Sequence, residues 1–146
     1  MEEELDQLAF KFFKLFAQYE STLKSENYFQ TNGSGRILVD WDKFANEKVG
    51  SDFLVNLGDK AEAANYILEH PPKKQIVGAE GRIEWQEVPS TERSVQILFG
   101  HISRIRNNLY HGAKFNGTWF DPDRSSRLLE NSLVVLEHFK SKANVH

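Results

Sequence analysis

Residues 95–115 read VQILFGHISRIRNNLYHGAKF, and the spacing within them decides how the rest of the chain is read. Val95, Leu98, Ile102, Ile105 and Leu109 fall at steps of three, four, three and four, which is one apolar face of a helix. Ser90 or Thr91, with Glu87 and Glu92 nearby, marks its start. Gly112 stands just past the last periodic residue, where a left-handed closing residue belongs. Into this helix end crowd Arg104, Arg106, Asn107, Asn108, Tyr110, His111 and Lys114. So many hydrogen-bonding groups beside an apolar seam call for a structural or functional reason.

Outward from that stretch, the chain reads as helices. Downstream, Asp121 as cap and Pro122 in the first turn open a last helix that turns Leu128, Leu129, Ser132, Leu133, Leu136 and Phe139 inward. A loop of about ten residues would join it to the helix before. Upstream, Leu5, Leu8, Phe12, Leu15, Phe16, Tyr19 and Leu23 recur at helical steps. Glu2, Glu3, Glu4 and Asp6 sit where the helix dipole favours negative charge. Its aromatic stripe is core rather than a ligand box.

Between these lie weaker signals. After Asn27 the chain reads as a loop, with Asn32-Gly33-Ser34-Gly35 as its turn. Asp40 caps a short helix carrying Trp41, Phe44 and Ala45, which Gly50-Ser51-Asp52 interrupts. A further helix spans about 59–70 through Ala61, Ala64, Ile67 and Leu68, and Pro71-Pro72 stops it. Residues 73–89 are the one strand-like region, readable as a small hairpin or as a mere loop. The predicted fold class is all-α: an antiparallel bundle of four to five helices in a single domain, 1–146, with 73–89 as an insertion. No repeat or low-complexity segment is visible.

The 146 residues suffice to bury roughly 68–70% of the unfolded surface. Forty per cent are hydrophobic and 27% charged, which excludes a disordered or fibrous chain. No apolar run approaches the roughly 20 residues that cross a bilayer, and the opening MEEELDQ is acidic rather than signal-like. There is no cysteine. Disulfides and thiolate metal sites are therefore excluded, and a cytoplasmic location is expected. The net charge of −3 hides an asymmetry. Residues 1–100 hold 11 Lys/Arg against 17 Asp/Glu, while 101–127 hold Arg104, Arg106, Lys114, Arg124 and Arg127 against only Asp121 and Asp123. That argues against a general nucleic-acid coat protein and for a local basic patch that steers an anionic ligand.

The residue types allow a specific chemistry. A histidine titrates near neutrality and moves protons, an arginine presents a planar fork to phosphate oxygens, and an asparagine orients either. Together they suffice for cleaving RNA without a metal, through attack of the ribose 2′-hydroxyl on its own phosphate. On a regular helix Arg106 lies about 40° from Ile102 and about 20° from Phe99, bordering the buried seam. His111 lies about 140° from Arg106. Either the helix ends near His111 and frees its ring, or a second chain completes the site. The plainer alternative makes His111 a helix-terminal cation, Arg106 a partner for a carboxylate, and Asn107–Asn108 turn formers. His70, His101 and His138 form no metal set with His111, and no metal or other cofactor is expected.

Arg106-Asn107-Asn108-Leu109-Tyr110-His111 resembles the signature of the HEPN superfamily: an arginine, a polar residue after it, and a histidine four to six positions beyond. Gly112-Ala113-Lys114-Phe115 is similar to that family's usual continuation. The resemblance covers the last two long helices and, by pattern only, the first; nothing in 30–89 takes part. It implies a helical bundle pairing as a homodimer with both motifs in one cleft. It further implies a metal-independent endoribonuclease, typically a toxin or defence effector with an antitoxin partner. On that basis Arg106 stabilises the transition state, His111 transfers protons and Asn107 orients them. Arg104, Asn108, Tyr110 and Lys114 are the RNA-binding candidates. The alternative implied is a non-catalytic HEPN-like module that binds RNA or a nucleotide, or that partners a nucleotidyltransferase.

Overall fold

A computed structural model describes residues 2–89, 92–110, 114–115, 118–119 and 121–146. Helix α1, Glu2–Ser25, follows the apolar stripe, and Leu5, Phe12, Leu15, Phe16, Tyr19 and Leu23 are all buried on it. It ends at Asn27, which takes the left-handed conformation (φ 71°) that asparagine tolerates better than most side chains. Strands β1, Phe29–Thr31, and β2, Ile37–Val39, then pair antiparallel. The loop expected there is thus a hairpin. Its turn is set by Asn32, whose side-chain oxygen accepts from the backbone N–H of both Ser34 and Arg36, each at 3.0 Å.

Asp40 caps helix α2, Trp41–Phe44, by accepting from the Lys43 N–H at 3.1 Å. The helix widens into a π turn, Ala45–Val49, and closes at Gly50, whose φ of 88° suits glycine. Helix α3, Phe53–Leu57, and a 3₁₀ turn, Gly58–Lys60, lead into α4, Ala61–Glu69. The two prolines then end it. Strands β3, Lys74–Val77, and β4, Ile83–Gln86, pair antiparallel, with Gln75 opposite Trp85. The insertion is therefore a hairpin rather than a loop.

Helix α5 spans Val95–Tyr110 and α6 spans Pro122–Phe139, followed by a 3₁₀ turn, Lys140–Ala143. Between them β5, Lys114–Phe115, pairs with β6, Thr118–Trp119, where a plain loop was expected. The intervening sequence is Asn116-Gly117, the strongest short-range hairpin signal, flanked by strand-prone residues. The chain is mostly helical but not purely all-α, since two-stranded hairpins interrupt it. The expectation of an all-α chain is corrected to that extent. Short strands with little alternation carry almost no periodic signal, so helices dominate any reading by pattern.

Helix α6 packs between α1 and α4, and α5 packs on α4 and on the α2 segment. At their shared centre is an aromatic cluster. Trp41 stacks on Phe99 with centroids 6.0 Å apart, and Phe44 meets Phe99 edge-on at 5.6 Å. Tyr19 donates its buried hydroxyl to the Leu136 carbonyl, fastening α1 to α6. Burial, with Glu137 adding to it, pushes the Tyr19 phenol far above its ordinary range.

Candidate functional site

Helix α5 positions the arginine–asparagine run. Because Ile102, Phe99 and Leu98 are fully buried, the helix is fixed in rotation about its axis. Residues turn by about 100° each, so the polar side chains near its end leave in different directions. Arg106 is half-buried and points toward α1, its guanidinium carbon 5.6 Å from the centroid of the Phe13 ring. Its stem is covered and its charge lies over a ring face, the arrangement that holds an arginine in one place. Nη1 donates to Asn107 Oδ1 at 3.2 Å, and Asn107 is exposed. Arg106 and Asn107 are thus brought together among the described residues.

Arg104 and Asn108 take different neighbours. Arg104 lies along a shallow groove with Asp42, Glu92, Gln96 and His101. Its Nη1 is enclosed and makes no hydrogen bond among the described residues. Burial, and then the Arg104 charge, pull the His101 ring down to about 4, so it is neutral at physiological pH. Asn108 donates its amide to the Lys73 carbonyl at 2.8 Å, tying the start of the β3–β4 hairpin to α5. Tyr110 ends the helix, and Lys114 stands in β5. The side chains of Tyr110 and Lys114, together with all of His111 and Gly112, lie outside the described residues.

The basic patch read from the sequence as one local field is divided. Arg124 grips Glu87 with both nitrogens of its fork, at 3.1 and 3.2 Å, and also donates to the Pro71 carbonyl. Lys73 lies 3.7 Å from Glu87 and 3.9 Å from Asp121. Asp121 does occupy the cap position of α6 with Pro122 after it. It adopts a left-handed conformation (φ 51°), however, and makes no capping bond through its side chain. The carboxylate faces Lys73 instead.

These contacts enclose a pocket between β3–β4 and helices α5 and α6 that sequence reasoning missed. Its floor is Ile105, Leu109, Leu128 and Leu129, and Trp85 with Pro72 forms one wall. Lys73, Asn108, Asp121, Arg124 and Ser125 supply its polar rim. No local pattern could reveal it, because it needs residues from 72 to 129 at once. Among the described residues no three His, Asp or Glu side chains converge as a metal site. No described helix is long and apolar enough to cross a membrane. No protein-family model, curated protein or solved structure matches the chain.

Proposed function

We propose that the chain is a metal-independent endoribonuclease of HEPN type, acting as a toxin or defence effector. The observation that carries this reading is the placement of Arg106. It is held over Phe13, bonded to Asn107, one turn before the end of α5 and five residues before His111. An exposed arginine used only for solubility needs neither contact. In the proposed reaction His111 takes the proton from a ribose 2′-hydroxyl, and its oxygen attacks the adjoining phosphorus. The bond from phosphorus to the 5′-oxygen breaks, that oxygen takes a proton from water, and His111 returns the proton it took to the solvent. The products are a 2′,3′-cyclic phosphate and a 5′-hydroxyl. Arg106 offsets the charge that grows on the non-bridging oxygens, a contribution of about 3–4 kcal/mol for one preorganised donor.

A homodimer belongs to this reading, because it sets Arg106 of one chain against His111 of the other. A second reading rests on the pocket beside Asn108: a non-catalytic module that binds RNA or a nucleotide there. Incubation of the purified chain with structured and unstructured RNA in EDTA separates the two. The nuclease predicts chelator-resistant cleavage lost in Arg106→Ala and His111→Ala. Binding without cleavage supports the module. Identical cleavage by all three proteins removes Arg106 and His111 from the mechanism.

A further inference from the structure

The turn of the β1–β2 hairpin takes no part in the chemistry proposed for Arg106 and His111, yet it is built around one side-chain carbonyl. Asn32 Oδ1 accepts from the Ser34 N–H at 3.0 Å, the Ser34 hydroxyl at 2.7 Å and the Arg36 N–H at 3.0 Å. Donors set within about 3 Å of a carbonyl oxygen stabilise the negative charge that grows there when a nucleophile attacks its carbon. The nucleophile at hand is the backbone nitrogen of Gly33, whose attack on Asn32 Cγ closes a small unstrained ring, a succinimide. Both groups belong to adjoining residues, so no encounter is needed. Gly33 leaves that nitrogen open. Its φ is not left-handed, and a Cβ added there would meet nothing within 4 Å, so the fold does not require glycine at 33. The glycine that the turn does require is Gly35, at φ 81°. A side chain at 33 would instead obstruct the approach of the nitrogen to Asn32. Residues 31–36 are all exposed, so water reaches the turn.

We infer that Asn32-Gly33 is a self-modification site, at which the folded turn converts Asn32 to aspartate and isoaspartate. The Gly33 N–H gives its proton to hydroxide, and the nitrogen bonds to Asn32 Cγ while charge builds on Oδ1. The bond from Cγ to the side-chain nitrogen breaks, and that nitrogen takes a proton from water and leaves as ammonia. Water then opens the ring. Addition at Cγ gives aspartate, and addition at the Asn32 backbone carbonyl gives isoaspartate, whose main chain runs through the former side chain. One water is consumed and one ammonia released. Either product carries a negative charge in place of a neutral amide, and isoaspartate also lengthens the main chain by one methylene. The bond from the Asn32 N–H to the Arg36 carbonyl, 3.0 Å beside the Thr31–Ile37 pair, then falls out of register and the hairpin loosens.

The test is incubation of the full chain in mildly alkaline buffer, folded and in guanidinium chloride, followed by peptide mapping with tandem mass spectrometry. Asn32 is expected to gain the mass of an NH exchanged for O, in aspartate and isoaspartate forms, several-fold faster in the folded chain. Mapping keeps it distinct from Asn116-Gly117, which lies outside the described residues. Gly33→Ala should lose most of the gain. Ser34→Ala, which removes one donor to Oδ1, should slow the folded chain several-fold and leave the denatured chain unchanged. Amide signals of Thr31 and Ile37 report whether each variant keeps the hairpin, and if Gly33→Ala loses it, Ser34→Ala decides. No gain at Asn32, a folded rate equal to or below the denatured one, or a parental rate in either variant with its hairpin intact overturns the inference.

Discussion

Arg106 meets Phe13 because the apolar seam of α5 leaves it no other direction. Ile102 and Phe99 are fully buried, and Arg106 emerges beside them at the border with α1. A lysine there would keep the charge but lose the planar fork and its stacking. Arg106→Lys is therefore expected to lower the cleavage rate by about 10²-fold or more, close to Arg106→Ala, because a point charge does not replace a two-pronged donor. Full activity in the lysine variant would mean that Arg106 only supplies charge. The position of Arg106 was legible in advance, because angles along one helix follow from sequence spacing. The partners of Asn108 and Arg124 were not. They lie 35 and 37 residues away, at Lys73 and Glu87, across an intervening strand pair that local spacing does not place.

At the scale of elements, the β3–β4 hairpin is held from below by Asn108 and Arg124, since a two-stranded ribbon is marginal by itself. Asn108→Ala would leave the Lys73 carbonyl without that donor, at a cost of about 1 kcal/mol. Amide exchange across Lys74–Val77 should quicken while that of α1 does not. Unchanged exchange would mean that Arg124 alone is sufficient. Helix α5 carries a second testable feature in His101, which burial and Arg104 hold near 4 in the folded chain. Its unfolded value is near 6.5, so below that pH the unfolded chain binds a proton that the folded chain resists. The stabilising contribution is complete above about pH 6.5 and drains away as pH falls toward 4, by about 3–4 kcal/mol at most. Denaturant midpoints measured across that window should show the decline, and His101→Gln should flatten it. The same slope in both proteins would assign it to other groups. The helices themselves were legible because buried faces impose a period. The hairpins were legible only in part: β3–β4 was one of two readings of 73–89, and Phe29, Ile37, Leu38, Val77 and Ile83 remain exposed and bind their strands to no burial pattern.

For the whole molecule, the aromatic centre built by Phe16, Tyr19, Trp41, Phe44 and Phe99 joins three elements, α1, α2 and α5, and the end of α5 projects from it. The proposed dimer would set two such ends together. Light scattering should then report a dimer. Mixing Arg106→Ala with His111→Ala should restore cleavage to about one quarter of the parent if the two chains assort at random and each mixed dimer keeps one of its two intact half-sites. Absence of any rescue would confine the site to one chain. The central claim, cleavage by 2′-hydroxyl attack without a metal, is tested most directly by the ends of the RNA products formed in EDTA. The account predicts 2′,3′-cyclic phosphate and 5′-hydroxyl ends from the parent chain and none from His111→Ala. Products with 5′-phosphate ends, or no cleavage by the parent in EDTA, would contradict it.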